Sequence, residues 1–178
     1  VNKVYIQYYK TVLGELMLGS FSGQLCLCDW RYRKLRAAID KRIQDGLNAS
    51  FEERDSMVIM DAMQQLEEYF SGDRIDFDVP LAMVGTSFQK TVWNELIKIP
   101  FGKTESYLGL SRKIGNEKAI RSVATANGAN AISIFIPCHR IIGSDGKLTG
   151  YGGGLQTKRK LLQLEMQNQA SDQLKLFA

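Results

Sequence analysis

The 178-residue chain has one histidine, three cysteines and no internal repeat, low-complexity tract or heptad seam. Three cysteines are an odd number and too few for a disulfide scaffold, which points to a reducing compartment. Cys26 and Cys28 share one face of a predicted strand, but no second Cys/His pair exists to complete a metal site, so packing is their expected role. No stretch approaches the roughly 18 consecutive apolar residues of a membrane span. Residues 1–7 lack the apolar block and cleavage site of a signal peptide. The expectation is a soluble cytoplasmic protein (nuclear if eukaryotic) with no membrane partner.

What is present is ordinary in bulk: 44% hydrophobic, 24% charged and 10% aromatic residues, enough for a real core in one or two domains. The net charge of +4 hides an asymmetry. Residues 1–84 carry 10 basic and 13 acidic side chains, a net of −3, whereas residues 85–178 carry 13 and 6, a net of +7. An anionic partner for the C-terminal half follows.

Alternation at Val4, Ile6 and Tyr8, then Leu16–Leu18 and Leu25–Cys28 after turns, predicts three strands in the first thirty residues. A charged helix is expected from Arg31 to Gln44. A firmer one carries Ile59, Met63, Leu66 and Phe70 and stops at Ser71-Gly72. Pro80 and Gly85 interrupt periodicity, which places a domain boundary between residues 84 and 85. Thr86-Ser87-Phe88-Gln89 reads as a capping box opening a helix with Val92 and Leu96 on its apolar stripe. Ser106–Ile114 and Glu117–Ala126 flank a Gly115-Asn116 turn, the pattern of a helix-turn-helix. The second of these helices turns Ile120, Val123 and Ala124 inward and presents Lys118, Arg121, Ser122 and Thr125. Residues 131–136 read as a buried strand, Gly143–Gly154 as a glycine-rich loop, and Leu155–Gln167 as a final helix. Trp30, Trp93 and the six methionines are expected in the core.

Cys138-His139 follows the apolar run, and a thiolate is a strong nucleophile when a base or positive surroundings favour its formation. Adjacent residues on a strand face opposite ways, so a direct contact does not follow; Pro137 breaks the strand, and a bridging water would carry the proton. An inert buried cysteine beside a surface histidine fits the pair equally well. Glu165 lies with Leu161 and Leu162 on one helix face, where a carboxylate needs a partner. His139 is one candidate, and a Lys or Arg of the same helix is another. Lys147, Lys158, Arg159 and Lys160 cluster near the glycine-rich loop in sequence and suit an anionic partner.

Asn130, the block Ile136-Pro137-Cys138-His139-Arg140-Ile141-Ile142, Gly150-Tyr151 and Glu165 resemble the O6-alkylguanine-DNA alkyltransferase family. Further matches are Thr86–Gln89, Ile99–Thr104, Ser106-Tyr107, Arg121 and Lys158, and weaker ones are Leu13–Leu16 and Tyr69–Gly72. The resemblance implies a ribonuclease H-like α/β domain over 1–84. It also implies a mainly α C-terminal domain over 85–178 with a winged-helix-like helix-turn-helix. It implies a monomer that flips an O6-alkylguanine, with O4-alkylthymine a second candidate substrate, out of duplex DNA and transfers the alkyl group to Cys138 once, without cofactor or metal. His139 and Glu165 would form the proton relay and Tyr107 would assist the leaving base. Arg121 would be the finger in the stack and Asn130 the hinge. Ile141, Tyr151, Gly152 and Lys158 would belong to the substrate pocket. Ala131 stands where members often have proline, Gly152 where some have serine, and the histidines of the family's zinc site are absent. A non-catalytic lesion sensor or regulator of the same fold, or a thiol hydrolase, are the alternatives.

Overall fold

Short turns between apolar runs close the first three strands into a meander: β1 (Asn2–Thr11), β2 (Gly14–Phe21) and β3 (Gln24–Trp30) pair antiparallel. The computed structural model describes residues 2–176, with side chains described through residue 169. Helix α1 (Arg36–Leu47) then leads into β4 (Ala49–Glu53), which pairs parallel with β1, giving the order β3-β2-β1-β4. The expected α/β N-terminal half is present. Strands β2 and β3 are almost wholly buried because both sheet faces are covered. Ile39 and Ile43 of α1 pack with Met17 and Leu27 on one face. Helix α2 (Met57–Ser71) sets Ile59, Ala62, Leu66 and Tyr69 against Leu16, Leu18 and Leu25 on the other.

Ser56 caps α2 at its start, and Gly72, at φ 87°, ends it in the left-handed conformation that glycine adopts freely. Helix α3 (Ser87–Ile97) begins with the expected capping box, Thr86 and Gln89 each binding the other's backbone N–H. The short strand β5 (Glu105–Ser106) precedes α4 (Tyr107–Lys113), which Ser106 caps. A 3₁₀ turn over Glu117–Ala119 leads into α5 (Ile120–Gly128), completing the helix-turn-helix. A second 3₁₀ turn, Cys138–Arg140, runs into β6 (Ile141–Ile142), parallel to β5, and α6 (Leu155–Leu176) ends the described chain. A single apolar cluster joins Leu16 and Leu66 of the first half to Val92, Val123 and Leu161 of the second. Among the described residues no helix is long and apolar enough to cross a membrane.

Several expectations are corrected. The first charged helix starts at Arg36 rather than Arg31. Residues 31–35 are held as a loop, with Arg31 N–H donating to Glu15 O and Arg33 N–H to Trp30 O. Strand β4 has no sequence signature because three of its five residues are polar and it lies at a sheet edge. Residues 131–136 are buried, as expected, but form a tight reversal and not a strand. Ile136 N–H donates to Ile132 O, and Ile134 sits at φ 74°. A β-branched residue rarely adopts that conformation, which costs about 1–3 kcal/mol. Cys26 and Cys28 do not share a face: a bulge opposite Gly19/Ser20 assigns them to different core clusters. Ile120 is 38% exposed; Val123, Ala126 and Asn127 form the inner side of α5. Met57, Met60 and Met166 are exposed rather than in the core, and α6 continues beyond Gln167.

Candidate active site

The reversal at 130–136 places Cys138, and the N-terminal sheet fixes the reversal. Ala131 O accepts from Cys28 N–H at 2.8 Å and Ser133 N–H donates to Cys28 O at 2.6 Å, so the loop adds itself to the free edge of β3. Ser133 Oγ donates to the buried carboxylate of Asp29 at 3.1 Å. Asn130 staples the loop from within: its Nδ2 donates to Ile136 O and its Oδ1 accepts from Ile132 N–H, both at 2.9 Å. These bonds satisfy backbone groups that the broken strand would otherwise leave buried and unpaired.

Cys138 is 5% exposed and faces a cavity of about 540 Å³. Tyr107, Tyr151 and Gly152 share that lining with it, as do Ala124, Asn127 and Gly128 of α5. Thr149 Oγ1 donates to the Tyr107 hydroxyl at 3.2 Å, and Trp30 Nε1 donates to that of Tyr151 at 3.0 Å. Each tyrosine therefore keeps its own proton to donate. Burial pushes the Cys138 thiol up from its ordinary value, while the Asn130 side chain, Arg33 and Lys158 pull the other way. A resting thiol with a base behind it is the result.

That base lies behind the cavity. His139 Nε2 is 2.7 Å from Glu165 Oε1, both side chains fully buried. With Glu165 ionised, Nε2 carries the proton, and His139 Nδ1 is left without a protein partner as the basic atom. Burial opposes the Glu165 charge, but His139 and Arg140 outweigh it and hold its carboxyl at about 2. Burial lowers His139 more than Glu165 raises it, with Arg140 and Lys158 adding to the lowering.

The expected residues separate into groups. Cys138, Tyr107, Tyr151 and Gly152 come together at the cavity, and His139 with Glu165 stands behind it. Ile141 does not reach the cavity: it is buried in β6 opposite Glu105, because it belongs to the strand that backs the cysteine turn. Lys158, expected in the substrate pocket, is not among the residues that line the cavity. It is buried, donates from Nζ to Thr149 O at 2.8 Å, tethers the glycine-rich loop, and is pushed down to about 8 by burial. Arg121, Ser122 and Thr125 line a separate open groove with Thr86, Phe88 and Gln89, and Lys118 is exposed nearby on the 3₁₀ turn.

Sequence reasoning missed residues supplied by the first half. Arg33, Lys34 and Leu35 line the cavity. Arg33 is held by Asp29 and donates to Gly128 O at 2.6 Å, and Arg42 donates to Ala129 O at 2.8 Å, so both cap the C-terminal end of α5. A Cβ at Gly152 would lie 2.6 Å from the Arg33 guanidinium, so glycine there makes room for it. Glu165 accepts from three further groups: the Tyr69 hydroxyl at 2.8 Å, Arg140 through two nitrogens, and Gly102 N–H at 3.2 Å. The signals for Arg140 and Tyr69 lay inside matched motifs, without any indication of their common partner.

Fold and site together define a two-domain protein that holds a buried thiol, backed by a histidine–carboxylate pair, beside a helix-turn-helix. Residues 4–83 match the 6-O-methylguanine DNA methyltransferase ribonuclease-like domain, and residues 87–167 match the DNA-binding domain of the same name. The chain belongs to the 6-O-methylguanine DNA methyltransferase family. It is 54% identical over 105 residues to a methylated-DNA–protein-cysteine methyltransferase of Methanosarcina acetivorans (59% of this chain, 67% of the relative). It is 51% identical over 116 residues to one of Mycobacterium bovis (65% and 70%). Among solved structures, the Mycobacterium tuberculosis O6-methylguanine methyltransferase superposes with TM-score 0.79 at 36% identity, covering 93% of this chain and 94% of that one. A crystal structure of the M. tuberculosis protein in complex with DNA superposes equally well, at TM-score 0.79 and 36% identity over 92% and 94%.

Proposed function

We propose that this protein repairs duplex DNA by transferring a methyl or other small alkyl group from guanine O6 irreversibly to Cys138. The observation that carries this reading is the shared cavity: Cys138 forms its lining together with Ala124, Asn127 and Gly128 of the helix that would bind DNA. Chemistry on a base inside a duplex requires its extrusion, and a cavity opening at that helix receives the flipped nucleotide. Arg121 fills the vacated stack, Ser122, Thr125 and Lys118 contact the backbone, and Asn130 is the hinge between α5 and the cysteine turn. The division between residues 84 and 85 belongs to the same reading and is supported by the two matched ranges.

His139 Nδ1 takes the Cys138 proton through a bridging water, and Glu165 stabilises the imidazolium. The thiolate attacks the alkyl carbon in one displacement. The carbon–O6 bond breaks, its electron pair stays with guanine, and the Tyr107 hydroxyl protonates the departing base. Tyr151 and Gly152 wall the alkyl group, and Lys158 holds the loop that carries them. The thioether product has no reversal step, so each molecule acts once, as a monomer in the cytoplasm.

Intact-protein mass spectrometry after incubation with an O6-methylguanine duplex tests this. One alkyl group per chain, located on Cys138 and absent in Cys138→Ser, is expected, while that variant keeps its DNA affinity. Binding without an adduct identifies a lesion sensor and overturns the reading; multiple turnovers on a small ester identify a hydrolase.

A further inference from the structure

The proton pair at the heart of the site is not made by the C-terminal half alone. Tyr69 lies on α2, 96 residues before Glu165, and its fully buried hydroxyl donates to Glu165 Oε1 at 2.8 Å. This is the same oxygen that faces His139 Nε2 at 2.7 Å and Arg140 Nη2 at 2.9 Å. Oε2 is occupied by Arg140 Nε at 3.0 Å and Gly102 N–H at 3.2 Å. The Tyr69 ring is itself held by Phe70, Phe77 and Phe101, with centroids 5.3, 5.5 and 6.1 Å away. The hydroxyl thus has a fixed direction and competes with the imidazole for one carboxylate oxygen.

We propose that Tyr69 is a positioning residue of the proton relay, whose hydroxyl holds Glu165 Oε1 against His139 and moderates how strongly that carboxylate draws the imidazole proton. The inference rests on the reading of Cys138 as the alkyl acceptor and deepens it, because it makes the N-terminal half part of the relay. Its physical basis is the shared acceptor. A hydrogen bond to a charged oxygen withdraws charge density from it, so removing one donor strengthens the pull on the others. His139 in turn is faced by Glu165 and Lys158 from α6, by Arg140 and Cys138 from its own turn, and by the Tyr151 ring at 6.5 Å from the glycine-rich loop. None of these changes when the Tyr69 hydroxyl alone is removed. Without it, Glu165 binds the Nε2 proton harder and the imidazolium is favoured. Neutral His139, the form that accepts the thiol proton, is then reached only at higher pH.

Tyr69→Phe in the full, tag-free chain tests this, since phenylalanine keeps the aromatic packing. His139 is the sole histidine, so its ring resonances report the relay directly by NMR titration, without substrate. The expected result is a His139 midpoint raised by about half a pH unit, with the acid limb of the single-turnover transfer rate on free O6-methylguanine moving up by the same amount. A lowered Tm with midpoint and limb unmoved, or a midpoint that falls, overturns the proposal and leaves Tyr69 a packing residue. If the wild type forms no adduct at all, the alkyl-transfer reading fails, while the NMR midpoint still decides the role of Tyr69.

Discussion

Among the described residues two carboxylates are fully buried, Asp29 and Glu165, one in each half of the chain, and they are put to different uses. Asp29, at the end of β3, accepts from Arg33 and Arg36 and from Ser133 of the other half. Glu165, on α6, accepts from His139 and Arg140 and from Tyr69 of the other half. Each is an arginine-compensated charge reached by one hydroxyl across the domain junction. The difference is the third partner. Asp29 touches only groups that stay charged or neutral throughout ordinary pH, so it serves as a fixed tie between the sheet edge and the cysteine loop. Glu165 touches an imidazole, whose charge changes within that range, so the same construction becomes part of a proton path. A buried ion pair therefore acquires a chemical role from what else its carboxylate touches.

The largest expected effect separates the two. Glu165→Gln leaves Arg140 uncompensated and His139 without its anion. Transfer should fall by about a hundredfold or more, with a loss of about 3–5 kcal/mol in urea unfolding. The wild-type pH dependence has a definite sign. Glu165 is held at about 2 in the folded chain against an ordinary value of 4.5, so its contribution is complete above the latter and is lost as pH falls through about 2. Acid unfolding followed between pH 5 and pH 2 should be correspondingly flatter in Glu165→Gln.

Asp29→Asn should cost about 3 kcal/mol of stability by leaving its two arginines underpaired, yet leave the acid limb of the transfer rate where it was. A shift of that limb would break the distinction drawn between the two carboxylates. Outside both centres, Arg121→Ala should lower repair of a duplex by about tenfold or more, about 1.4 kcal/mol of transition-state stabilisation. It should affect reaction with free O6-methylguanine much less, since only a duplex requires extrusion; equal losses on both would refute the finger assignment. The smallest effect is at the junction itself. Gly152→Ser places a Cβ against the Arg33 guanidinium and should cost about 1–2 kcal/mol through overpacking, read as a lowered Tm.

Legibility in the sequence followed the range of the interaction. The capping box at Thr86–Gln89, the α2 stop at Gly72 and the α4–α5 turn rest on contacts between neighbours in the chain, and each is found as expected. The reading of residues 131–136 as a strand failed because its apolar run satisfies burial equally well in a reversal, and Asn130 and the β3 edge stabilise the reversal. Arg33 fell within the charged helix expected from Arg31 to Gln44; only its approach to Asp29 and Gly128 reveals its position at the cavity. Lys158 stood in a basic run and in the expected pocket, and only its contacts to the loop carbonyls of Thr149 and Gly150 show it as a buried tether.

By itself, the sequence determined the local elements, the charge asymmetry between the halves, and the residue types that chemistry at Cys138 requires. Helix caps, turns and apolar periodicity act within a few residues, so they are written in order along the chain. The tertiary structure alone decided which oxygen of Glu165 meets His139, that Tyr69 meets it too, and that the acidic half closes the wall of a cavity it seemed to stand apart from. Those outcomes depend on side chains separated by 26 to 121 residues being brought within 3 Å. Only the packing of α2, β3 and α6 around one shared core brings them there.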